Sequence, residues 1–168
     1  MGGCARSGVT GQTTPTCDVE RNAGVLVLEA QSVPDADRVP CVALVPAGWS
    51  VAAVEVKSGN SRFNLRNDRA GDKALEVRLE PMCNIDGSTQ VPSDEPGTRR
   101  FERIDSVQPG FAATRFYTFE GGCVTYRFQF ETANRALVNE ASLALSFVTR
   151  QELKTELDRV TKGRVKLS

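Results

Sequence analysis

Histidine is absent from this 168-residue chain. Its absence removes Ser-His and Cys-His activation of a nucleophile, together with the commonest metal ligand. Net charge is absent as well: 21 basic residues balance 21 acidic ones, so no global field draws in nucleic acid or an acidic lipid surface. The chain has no run of about 18 apolar residues, the length that a membrane-spanning helix needs, and no complete signal peptide. Lysine is scarce, with 16 Arg against 5 Lys among the basic residues. That bias suits bidentate anion recognition, and GC-rich codon usage produces it equally well.

The five cysteines, at 4, 17, 41, 83 and 123, include no CxxC pair. Without histidine they make neither a zinc knuckle nor a thioredoxin-type redox site. No metal and no cofactor is expected. A disulfide framework is the better account. Cys4 stands apart in a Gly/Ser/Thr-rich leader, and the other four cysteines allow three connectivities, of which chain order favours Cys17–Cys41 and Cys83–Cys123. The first bridge would tie the start of a helix to the segment after it, and the second would staple two strands. Each is worth roughly 3–4 kcal/mol in the loop-entropy model. Four buried, reduced thiols are the alternative.

Met1-Gly2-Gly3-Cys4 looks like the tail of a lipoprotein signal, in which small residues precede a cysteine that is acylated. Ala5 to Thr16 then has the composition of a flexible tether. Myristoylation at Gly2 would want Ser or Thr at position 6, which is Arg6. The expected organisation is a leader over 1–16 and one α+β domain over 17–168.

From Asp18, the apolar residues Val19, Ala23, Leu26, Ala30 and Val33 fall on one helical stripe that Pro34 ends. Pro40, a good first helical residue, predicts a short second helix through Cys41 and Leu44 to Pro46. Period-two alternation then predicts strands near 54–57, 62–66 and 75–80, and three more near 99–107, 113–119 and 123–131. Between the two sets, Pro81 to Thr98 is the longest irregular stretch. A helix from Asn134 carries Leu137, Ala141, Ala144 and Val148 on one stripe. A last helix opens on the capping box Thr149-Arg150-Gln151-Glu152, turns Leu153, Leu157 and Val160 inward, and ends at Gly163. The fold class is therefore α+β: an antiparallel sheet of about six strands, with N-terminal and C-terminal helices packed on one face and two disulfides.

Few residues suggest chemistry. Asn84-Ile85-Asp86-Gly87-Ser88 offers oxygen ligands but lacks the spacing of a calcium loop, so a plain turn is expected. Arg103, Arg115 and Arg127, with Tyr117 nearby, are placed by alternation on one outward sheet face, where they would hold a carboxylate or phosphate. A solvated face, its arginines paired with neighbouring acids, is the plainer alternative. Glu55, Glu76 and Glu80 are the only acids that invite a carboxylate-only hydrolase. Trp49, Phe63, Phe116, Phe119, Tyr126, Phe128 and Phe130 either line an apolar pocket or form the core.

Three segments, Val39-Pro40-Cys41 with Pro46-Ala47-Gly48-Trp49, Val91 to Arg100, and Gly121 to Phe128, together resemble an uncharacterised group of envelope proteins from high-GC Gram-positive bacteria. The likeness covers roughly residues 17–160. It implies a membrane or lipid anchor ahead of the domain and supplies no activity. The leading expectation is a non-catalytic domain, outside the cytoplasmic membrane and anchored through lipid on Cys4 or secreted, that binds a partner protein or an envelope ligand. A carrier or sensor of an apolar ligand and a carboxylate-only hydrolase are the alternatives.

Overall fold

A computed structural model describes residues 14–52 and 54–168, and Cys4 with most of the expected leader lies outside them. The first helix, α1 (Val19–Ser32), opens where the stripe begins. The Asp18 carboxylate caps it by accepting from the Arg21 amide, and Leu26 and Ala30 are completely buried.

The helix expected at Pro40 is instead a strand, β1 (Arg38–Val42), buried along its whole length. Helical hydrogen bonds are local, whereas this segment finds partners on both sides. Its residues pair antiparallel with residues 145–149, the Val42 amide donates to the Pro15 carbonyl at 2.7 Å, and the Cys17 amide donates to the Val42 carbonyl at 3.0 Å. Pro40, opposite Phe147, is tolerated in a two-stranded ribbon, where every other N–H position points away from the partner strand.

The main sheet contains β2 (Trp49–Val51), β3 (Glu55–Lys57), β4 (Asn60–Asn67), β5 (Gly71–Glu80), β6 (Thr89–Val91), β7 (Arg99–Ser106), β8 (Phe111–Phe119) and β9 (Gly122–Phe130). Their order is β2-β4-β5-β9-β8-β7-β6, with β3 also on β4. Six of the eight strands are those the alternation predicts; short β2 and β6 are additions. Two antiparallel meanders are thus joined where β5 pairs with β9, Glu76 opposite Arg127 and Val77 opposite Tyr126.

After the sheet, α2 (Ala136–Ala144) stops earlier than its stripe suggested, and Val148 belongs to β10 (Leu145–Thr149), the partner of β1. Phe147, Val148 and Thr149 favour extended backbone, and cross-strand pairing with Val39 decides the matter. The last helix, α3 (Arg150–Thr161), carries both halves of the predicted capping box, and Lys162 and Gly163 leave it through positive φ. Leu153 and Leu157 face inward as expected, but Val160 is exposed.

One face of the sheet presents Phe63, Leu65, Val77, Leu79, Val124 and Tyr126, which join apolar residues of all three helices and of the β1–β10 ribbon in one buried cluster. The opposite face carries the charge. Both disulfides are present, Cys17–Cys41 and Cys83–Cys123. The first ties the start of α1 to β1. The second does not staple two strands, because Cys83 lies beyond the end of β5; it fastens the loop after β5 onto β9. No helix among the described residues is long and apolar enough to cross a membrane.

Candidate functional site

Strand register decides which arginines share a face, because residues directly opposed in an antiparallel pair point the same way. Arg127 opposes Thr114 and Glu76, and Thr114 opposes Arg103. Arg103 and Arg127 therefore lie together on the charged face. Arg115 opposes Tyr126 and Glu102, and Tyr117 opposes Val124 and Arg100, which puts both on the helix-covered face. The three arginines expected from alternation to share an outward face with Tyr117 nearby are therefore split: Arg103 and Arg127 lie on the charged face, and Arg115 lies with Tyr117 on the other. The tight β8–β9 turn sets Arg115 against Tyr126 instead of Arg127, and an offset of one residue reverses the face.

On the charged face, Thr114, Thr125 and Arg127 floor a groove of ≈ 630 Å³ that Met82, Cys83 and Asn84 of the following loop border. The loop is held in three ways. The Cys83–Cys123 bridge anchors it, Arg103 Nη1 donates to the Asp86 carbonyl at 3.0 Å, and Ile85 packs with Phe101 and Phe116 in a small apolar cluster. Residues 84–88 form the expected turn: the Asp86 amide donates to Asn84 Oδ1 at 2.9 Å and Gly87 takes positive φ. Among the described residues, no group of three or more Cys, Asp or Glu side chains is placed to hold a metal.

Most charges in the groove are already matched. Arg78 lies 2.9 Å from Glu76 and 3.8 Å from Glu80, and Asp105 accepts from Arg103 Nε at 2.7 Å and from the Thr114 hydroxyl at 2.9 Å. Arg127 is the exception. It is exposed, and among the described residues it has no ion pair or hydrogen bond through its guanidinium. Glu76, its cross-strand neighbour, is committed to Arg78.

On the helix-covered face, Arg115 and Tyr117 belong to a network that fastens residues 94–96 over the sheet. Arg115 Nε donates to Glu102 at 2.7 Å and Arg100 shares that carboxylate, while the Tyr117 hydroxyl donates to Asp94 at 2.9 Å. Arg38 lies over the Phe119 ring and donates to the Pro96 carbonyl at 2.6 Å. Burial raises the Glu102 carboxyl, but Arg100 and Arg115 more than reverse this and hold it below its ordinary range. Burial pushes the Tyr117 phenol up to about 12, so it stays a hydrogen-bond donor at neutral pH. A group locked as an ion pair or as a neutral donor has no proton to exchange, so this network serves position rather than chemistry.

The candidate hydrolase acids are dispersed or neutralised. Glu55 is exposed and Arg62 holds its carboxyl below the usual range by direct hydrogen bonding, whereas Glu76 and Glu80 flank Arg78. Of the aromatic residues, Trp49, Phe63, Tyr126, Phe128 and Phe130 are buried in the main cluster and Phe116 in the small one. Arg78, Asp105 and Thr114 are site residues that alternation within single strands did not reveal. Their grouping depends on β5 pairing with β9, a contact between distant halves of the chain. No protein-family model matches the chain, and no curated protein and no solved structure matches it.

Proposed function

We propose that this chain is a non-catalytic binding domain that works outside the cytoplasm, held at the membrane through lipid on Cys4, and that takes an anionic group of the cell envelope in the groove centred on Arg127. The observation that carries this is the unmatched Arg127 guanidinium in a groove whose other charges are paired. An unpaired, exposed arginine can grip a phosphate or carboxylate bidentately without breaking an existing ion pair. Arg103, already engaged with Asp105 and Asp86, shapes the rim. The two disulfides are compatible with an oxidising compartment.

Titration calorimetry with a glycerol-phosphate oligomer and with an oligo-glutamate peptide tests the proposal. Arg127→Gln should weaken whichever anion binds by at least about tenfold, since one charge-assisted bidentate contact contributes on the order of 1.5–3 kcal/mol. Binding by neither anion, or equal binding to the variant, overturns it. Palmitate labelling of the exported chain with and without Cys4→Ser tests the anchor.

A further inference from the structure

A second cavity, of ≈ 210 Å³, lies between β7, β8 and α2, with Arg103 and Thr114 also at its lining. Phe111, Ala113, Phe128 and Val138 give it apolar walls, and Arg115 and Arg135 bring cationic groups to it. Arg115 is a built-in part of the site. Its side chain is only 10% exposed, Nε is held by Glu102 at 2.7 Å and Nη1 by the Ser142 hydroxyl at 2.9 Å. The remaining nitrogen has no protein acceptor among the described residues. Arg135, exposed at the mouth, makes no ion pair among the described residues and lies 5.5 Å from the centre of the Phe111 ring. Glu102, the one acid lining the cavity, is already shared between Arg100 and Arg115. Positive charge is therefore in excess beside an apolar hollow.

We infer that this cavity binds a small monocarboxylic acid with a branched or cyclic apolar tail, its carboxylate between Arg115 and Arg135 and its tail against Phe111, Phe128 and Val138. The volume excludes larger ligands, since pockets for drug-sized molecules run to roughly 300–1,000 Å³. The apolar walls disfavour inorganic anions, which gain nothing from leaving water for hydrocarbon. Two arginines against one committed carboxylate disfavour amines and leave a neutral isostere without its counter-charge. The cavity does not include Arg127, but it shares Arg103, Thr114 and Phe128 with the groove.

The test is a titration of the ¹⁵N-labelled chain with benzoate and, separately, with benzamide, read from amide chemical shifts. Benzoate should give saturable shifts centred on residues 111–115 and 135–139, and benzamide should bind at least about tenfold more weakly. Arg135→Glu, at an exposed position, should weaken benzoate by a similar factor. Val138→Trp, which fills the hollow, should abolish the shifts; if that variant fails to fold, Arg135→Glu alone decides. Equal affinity for acid and amide, no saturable shift, or shifts centred on Arg127 overturns the inference, and only the last of these bears on the groove.

Discussion

Glu29 is the residue whose surroundings most contradict its chemistry. It lies on α1, completely buried, with neither carboxylate oxygen completing a hydrogen bond. Burial raises its carboxyl well above the ordinary range and outweighs the opposing effect of the neighbouring Ser61 hydroxyl. The folded protein therefore holds a proton that the unfolded chain releases near pH 4.3. Between that pH and the raised value the folded state binds more protons, so stability falls as pH rises, by up to about 1.4 kcal/mol per unit. Urea unfolding at several pH values should show this slope in the wild type and lose it in Glu29→Gln; parallel curves would sink the claim. Gly121 offers a sharper steric test. It takes positive φ, and an added Cβ would overlap the Asp35 carbonyl, whereas Gly59 takes a similar φ with nothing within 4 Å. Gly59→Ala should cost about 1 kcal/mol of backbone strain, and Gly121→Ala at least about 2 kcal/mol more, read as a shift in urea midpoint.

At the scale of elements, the ends of helices and the loops are held by long-range contacts. Arg150, the first residue of α3, donates to the carbonyls of Ala30 at 2.6 Å, Val33 at 3.0 Å and Ala36 at 2.7 Å, gathering oxygens at and just beyond the end of α1. Arg150→Ala should destabilise the protein by about 2–4 kcal/mol, because buried acceptors lose a charged donor; thermal unfolding within one degree of wild type would refute this. The Cys83–Cys123 bridge closes a separation of 40 residues, worth about 4 kcal/mol in the loop-entropy model. Replacing both cysteines by serine should cost that order of stability and open residues 81–88 to limited proteolysis. Cleavage that stays as slow as in the wild type would mean that Arg103 and Ile85 hold the loop without the bridge.

For the molecule as a whole, the β5–β9 seam joins the two meanders, and Leu75, Val77, Val124 and Tyr126 along it are buried at 2% exposure or less. Amide hydrogens at these positions should exchange slowest, with opening energies near the global value, while those of the edge strands β2 and β6 exchange through local fraying. Equal protection at seam and edge would show that the sheet does not open from its margins. The same seam creates the Arg127 groove. It brings Glu76 and Arg78 of the first meander beside Arg127 of the second, and so settles which charges cancel and which does not.

Short-range physics was legible without a structure. The stripe of α1, the alternation of β4, β5 and β7 to β9, and the Thr149 capping box each involve residues within a few positions of one another, where local backbone preference and side-chain period leave few options. Chain order favoured one of three cysteine connectivities once Cys4 was set apart, and the structure selects that one. What needed tertiary structure was every choice in which a distant partner outweighed local preference. Pro40 and Val148 carry helical signals but lie in β1 and β10, because pairing 38–42 with 145–149 buries both segments at once. Arg115 and Tyr117 turned to the covered face because strand register, set by the turn at Glu120 and Gly121, fixes which residues oppose each other. Periodicity places residues on alternate faces of one strand; only pairing between strands assigns those faces to core or solvent, and with them the charges that make a site.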